Sequence, residues 1–190
     1  MFSVRPNEEQ RRQAYNLIQS TNFGNRGEFD GSPEDQFIGI LAEIVLAENM
    51  NLKRHSGNGF DNGYDFIIGD VKVDLKTMGR TTDPLPNYIS NIPASQLTDK
   101  YESEVFLFAS YNKTSKLLTF IGILPKSEIK REWFHEKGKA RFKMNGEQVV
   151  LKVNNYEVPY SAVRPVTDWL NIYGLIKHFK SPLKDEIKSL

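Results

Sequence analysis

The sequence predicts a single mixed α/β domain, and three observations carry that expectation. Hydrophobic periodicity is helical up to about residue 50 and switches to strict alternation from Tyr64. The order of elements reads helix, hairpin, helix, strands, helix, a pattern of strands and helices layered in one unit. The 190 residues are 39% hydrophobic with 12 Phe, 8 Tyr and 2 Trp, enough apolar material for one core. The expected unit spans residues 1–190, with an N-terminal helix over about 7–20 and a strand/helix extension over about 139–190.

Each element has a local cause. Asn7-Glu8-Glu9-Gln10 has the form of a capping box, and Ala14, Tyr15, Leu17 and Ile18 continue it as a short amphipathic helix. Thr21 to Gly31 reads as a loop. Ser32-Pro33-Glu34-Asp35 starts a second helix, with Ser as cap, Pro in the first turn and acids where the helix dipole favours them. That helix runs to about Met50 with Phe37, Ile38, Leu41, Ile44, Val45 and Leu46 at helical spacing. His55 to Gly63 is a Gly- and Asn-rich loop. Asp65 to Lys76 reads as a hairpin around a two-residue turn, Gly69-Asp70. Thr77 to Asn91, with two Pro and a Gly, is expected to be irregular, and a short helix is expected after Pro93. Ser103–Tyr111 and Leu117–Leu124 read as strands, Pro125–Phe134 as a helix, Lys139–Tyr160 as short strands about Asn154-Asn155, and Val166–Lys177 as a helix.

Composition removes several chemistries. Without cysteine there is no disulfide, thiolate metal site or cysteine nucleophile. The three histidines, at 55, 135 and 178, are too scattered for an HExxH helix. The apolar runs are too short to span a membrane, and no signal-peptide stretch opens the chain, so a soluble cytoplasmic protein is expected. The net charge of +1 hides an asymmetry: residues 1–50 carry 4 basic and 8 acidic side chains, residues 105–190 carry 15 and 8. The basic half offers phosphate contacts, whereas the acidic half repels DNA unless a cation intervenes.

Acid-x-Lys triplets occur four times, against about two expected by chance from the composition, so the triplet needs context. The hairpin supplies it for one. With Gly69-Asp70 as the turn, Phe66 opposes Val73 and Asp65 opposes Asp74, and opposed side chains share a face with Cβ atoms about 5 Å apart. Lys76 falls on that face by alternation, while Phe66, Ile68, Val71, Val73 and Leu75 make the other face apolar. Two opposed carboxylates repel, and a divalent cation between them would resolve the conflict; the alternative is that Lys76 simply neutralises Asp74 on a solvated strand. Glu43, beside the apolar stripe of the second helix, is either a boundary residue or a third carboxylate aimed at the hairpin.

Glu43, then Asp65, then Asp74-Leu75-Lys76 on paired strands resembles the PD-(D/E)xK nuclease superfamily, which includes many restriction endonucleases. The match is close over about residues 32–76; Tyr64 stands where the motif's Pro would be. The resemblance implies a restriction-endonuclease-like αβββαβ core, a central mixed sheet flanked by helices. It implies a metal-dependent endonuclease acting on DNA. Mg²⁺, with Mn²⁺ substituting, would be held by Asp65, Asp74, the Leu75 carbonyl and Glu43, and Lys76 would act on the attacking water. Further nucleic-acid contacts are expected at Arg80, Gln96, Lys126, Lys130 and Arg131, the last three in a basic stretch interleaved with Trp133 and Phe134. A homodimer is plausible because many duplex cutters pair two sites. A catalytically inert nucleic-acid-binding or assembly module on the same fold is the competing expectation.

Overall fold

Strand β5 (Val105–Asn112) is buried along its whole length, as its almost continuously apolar sequence requires. It lies at the centre of a curled, mixed six-strand sheet in a computed structural model that describes residues 1–20, 32–55, 62–142, 146 and 148–180. The order across the sheet is β1 (Phe2–Val4), β6 (Leu117–Pro125), β5, β3 (Val71–Arg80), β2 (Phe66–Ile68). The two-residue β11 (Arg164–Pro165) also pairs with β6. Only β3 and β5 run parallel; the other pairs are antiparallel. A register shift between Phe108 and Ala109 bends the β5–β6 pair and helps to curl the sheet. At Gly122 of β6 a Cβ would come within 2.4 Å of the Arg164 carbonyl, so only glycine lets β11 lie against this strand.

The helices lie on one face. Helix α1 (Glu8–Ser20) opens with the expected reciprocal bonds, Asn7 N–H to Gln10 Oε1 at 2.9 Å and Gln10 N–H to Asn7 Oδ1 at 2.8 Å. Helix α2 (Pro33–Met50) starts on the Ser32–Asp35 capping box and ends at Asn51 in the left-handed conformation. Helix α3 (Trp169–Lys180) is capped by Asp168, whose Oδ1 accepts the Asn171 N–H at 2.8 Å. Together they bury Ile38, Leu41, Val45, Ile172 and Ile176 against Val73, Leu75, Leu107 and Phe120.

The other face is closed by a three-strand antiparallel sheet, β4 (Ile89–Pro93), β10 (Asn155–Pro159) and β7 (Phe134–His135). A second core of Ile92, Phe106, Phe108, Ile121, Leu124, Val158, Tyr160 and Val163 lies between the two sheets. Strands β8 (Ala140–Phe142) and β9 (Gln148–Val150) form a separate hairpin.

Several expectations are corrected. The helices expected to flank the mixed sheet lie on one face: among the described residues α1, α2 and α3 all serve the first core, and strands cover the second. The helix expected over Pro125–Phe134 is two 3-10 turns, Lys126–Glu128 and Arg131–Trp133, leading into β7. Tertiary contacts override its helical spacing. The Lys126 ammonium is tied to the carbonyls of Thr98 and Tyr101 at 3.1 and 2.6 Å, and Trp133 packs on the second core. Residues 77–80, expected to be irregular, continue β3 because β5 pairs with them through Arg80–Asn112, and irregular chain is confined to 81–88. Over its described part, the expected strand/helix extension at about 139–190 supplies β10 to the second sheet and α3 to the first core. Strand β1 went unforeseen. The loop expectations for 21–31 and 56–61 lie outside the described residues.

Candidate active site

The hairpin forms as the alternation predicts. Its register is Phe66–Val73, Ile67–Lys72 and Ile68–Val71, closed by Gly69 and Asp70 with φ of 55° and 66°. Positive φ at both central residues is the turn that matches strand twist, and it suits glycine followed by aspartate. Phe66, Ile68, Val71, Val73 and Leu75 all enter the first core. The even-numbered residues of β3 therefore face the second: Asp74 aligns with Phe106 and Lys76 with Phe108.

Asp65 stands just outside the paired part of β2. Its N–H bonds the Val73 carbonyl at 2.9 Å, and its Oδ2 accepts the Leu75 N–H at 2.7 Å. Because β2 has ended, the β3 edge beyond Val73 pairs with no strand on that side among the described residues, and the carboxylate caps it at Leu75. The Leu75 carbonyl leaves β3 along the same edge, since N–H and C=O of one strand residue point the same way. The Asp65–Asp74 ladder pair expected from the register is replaced by this side-chain bond, yet the two carboxylates remain close enough to repel. Burial, then Glu43, then Asp74 hold the Asp65 carboxyl well above the usual carboxylate range, against the lowering influence of Lys76 and the Leu75 N–H.

Asp74 is buried at 4% exposure, and its Oδ2 lies 2.7 Å from Lys76 Nζ. Lys76 Nζ also lies 6.0 Å from the centre of the Phe106 ring. Glu43 reaches this neighbourhood from α2, but Arg54 clamps it: Nε and Nη2 both donate to Oε2, at 3.0 and 2.7 Å. Sequence reasoning missed Arg54. The signal was Asn51, whose left-handed cap turns the chain back along α2, with the Leu52 N–H bonded to the Ala47 carbonyl. Tyr64, at the position of the motif's Pro, is buried and stacks on His55 at 4.5 Å.

The structure thus brings Glu43, Asp65, Asp74, Leu75 and Lys76 into one neighbourhood. Among the described residues no three or more His, Asp or Glu side chains form a ready-made metal cage. The donor set still fits a hard ion that uses one or two carboxylates and keeps several waters, as Mg²⁺ does.

The remaining expected contact residues are dispersed. Arg80 is held between Tyr88 and Tyr160 under the second sheet. Gln96 lies in a 3-10 turn, Ala94–Leu97, partly buried with no hydrogen-bond partner for its Oε1. Lys126 is bound to main-chain carbonyls, and its burial lowers its pKa while Asp99 and Asp74 oppose that shift. Lys130, 5.6 Å from the Trp133 ring centre, and Arg131 are exposed on the turns that follow. A cleft of about 590 Å³ at the end of the sheet is lined by Ser103, Glu104, Lys126 and Phe179 but not by Asp65, Asp74 or Lys76. Among the described residues no helix is long and apolar enough to cross a membrane.

Comparison of the chain with known protein families, with curated proteins and with solved structures finds no match.

Proposed function

We propose that this chain is a metal-dependent DNA endonuclease of the PD-(D/E)xK kind, cutting phosphodiester bonds at the open end of the β2–β3 hairpin. The observation that carries this reading is the Asp65 carboxylate, bonded to the Leu75 N–H inside the Asp74-Leu75-Lys76 triplet and repelled by Asp74. Two carboxylates desolvated together are unfavourable alone and become favourable around a hard cation. Asp65, Asp74 and the Leu75 carbonyl are the groups that would hold Mg²⁺ or Mn²⁺, with Glu43, fixed by Arg54, acting through a water. When bound, the ion would polarise the scissile phosphate and lower the pKa of an attacking water. Lys76, steadied by Asp74, would orient that water and offset charge developing on the phosphate. The acidic site would then attract DNA rather than repel it.

A cleavage assay on supercoiled plasmid, single-stranded circles and branched junctions, with Mg²⁺, Mn²⁺ or EDTA, tests this. Metal-dependent cutting lost in Asp74→Ala and Lys76→Ala is expected; cutting that persists in both, or in EDTA, would refute the assignment.

One observation favours a second reading, an inert binding or assembly module. Arg54 already neutralises Glu43 and Lys76 already pairs with Asp74, so much of the acidic charge is balanced without metal. Calorimetry separates the two, because an inert module binds no Mg²⁺ at the hairpin.

A further inference from the structure

The cleft at the end of the six-strand sheet adjoins the candidate metal site without being part of it. Val71, Val105 and Pro125, buried where β3 and β5 begin and β6 ends, form its floor. Leu97 and Phe179, both half-buried, form its walls. Arg164, which does not line the cleft, lies 4.8 Å from the Phe179 ring centre and steadies that ring, itself held by bonds to Glu128 at 2.9 and 2.7 Å. Ser103 also lines the cleft; it is 3% exposed, and among the described residues its hydroxyl has no hydrogen-bond partner. At the rim stand Asp99, Glu104 and Lys126. Glu104 Oε2 accepts the Lys72 N–H at 2.9 Å, and the Lys126 ammonium donates to the Thr98 and Tyr101 carbonyls.

The cleft, about 590 Å³, is of the size that holds one small ring system. Two carboxylates against one ammonium make its rim acidic, which disfavours an anion inside it. A flat apolar group with hydrogen-bond donors on one edge meets the remaining demands. Its faces cover Leu97 and Phe179, its donors reach Asp99 and Glu104, and its edge gives the Ser103 hydroxyl a partner. Water supplies only the last of these. A nucleobase with an exocyclic amine has this form, and carboxylates are the side chains that accept from cytosine N4. Only an unpaired base has its pairing edge free to enter a pocket. Val71 in the floor and Asp74 in the metal site are three residues apart on β3, about 10 Å. That is about three nucleotides of stacked strand. Asp74 also acts electrostatically on Lys126, so the cleft and the carboxylates share one neighbourhood. We propose that this cleft receives an unpaired, amine-bearing nucleobase, cytosine above all, about three nucleotides from the scissile phosphate, so that bulged or single-stranded DNA is the preferred substrate. The choice of DNA rests on the nuclease reading.

The test is binding in EDTA, where metal-dependent cutting is absent, followed by fluorescence anisotropy. Three labelled duplexes are compared: one with a single cytosine bulge, one with the bulge made abasic, and one fully paired. The cytosine bulge should bind about tenfold more tightly than the other two. Phe179→Ala should abolish that preference and Ser103→Ala should reduce it about threefold, with binding of the paired duplex unchanged. Should Phe179→Ala fail to fold, Ser103→Ala and Asp99→Asn carry the comparison. Equal affinity for the three duplexes, or a preference that every variant keeps, would overturn the proposal. Binding of cytidine alone, seen as NMR shifts without any bulge preference, would make this a free-nucleoside site and overturn the assignment to DNA. A bulge preference in a chain that never cuts with Mg²⁺ would refute the nuclease reading and leave the base pocket standing; cutting without the preference would do the reverse.

Discussion

The two faces of β3 differ in kind. Toward the helices it presents Val71, Val73 and Leu75, all sealed in the first core. Toward the second sheet it presents Asp74, Lys76 and Arg80, charged groups in a layer that also holds Phe106 and Phe108. The first face is interchangeable hydrophobic packing. The second forces charges into a partly desolvated space, which is stable only if each finds a counter-charge, a hydrogen bond or a ligand. One strand therefore anchors the fold with its odd positions and carries the candidate chemistry with its even ones.

The contrast can be broken most sharply at Asp74 and Lys76. Either alanine variant should lose about 10³-fold in cleavage rate while remaining folded, as followed by plasmid nicking beside circular dichroism. On the opposite face the pattern should invert. Leu107→Ala, fully buried in the first core, should cost about 2–5 kcal/mol in urea unfolding and leave the proposed cleavage by the fraction still folded unchanged.

Arg54→Ala tests how far the sites on α2 and the hairpin are joined. Removing both donors to a part-buried carboxylate should cost about 1–3 kcal/mol. It should also raise the Asp65 pKa further, visible by NMR titration, because Glu43 then repels it unscreened. Arg54→Lys should rescue only part, since one ammonium cannot reproduce the paired Nε and Nη2 bonds.

Asp65→Asn should raise stability while abolishing cutting. The folded pKa of Asp65 lies above its unfolded value, so the folded state binds the proton more tightly. Wild-type stability accordingly declines as pH rises from the ordinary carboxylate range through the raised pKa, and the loss is complete above it. The asparagine variant lacks that decline and keeps an acceptor for the Leu75 N–H. Parallel melting curves of the two proteins across pH would contradict the raised pKa. The smallest effect belongs to a site remote from both faces: Ser32→Ala removes the α2 cap and should cost about 1 kcal/mol with no change in activity.

What was legible in the sequence was whatever neighbours in the chain decide. The Asn7 and Ser32 caps, the Gly69-Asp70 turn and the alternation along Val71–Lys76 are set by local geometry, and with them came Asp65, Asp74 and Lys76 as a group. Glu43 was legible as a candidate, its clamp by Arg54 was not, because the pairing depends on how Asn51 redirects the chain. Distant partners decided the rest. Residues 77–80 became strand because β5 lies beside them, the helix expected after Pro125 gave way to turns that tie Lys126 to the 98–101 loop, and Arg80 was drawn beneath a sheet built from residues 89–93, 134–135 and 155–159. Local propensity is worth only tenths of a kilocalorie per residue, whereas burying one large side chain contributes about 1.5–3 kcal/mol. Where the two disagree, the long-range contact prevails, and no window of sequence contains it.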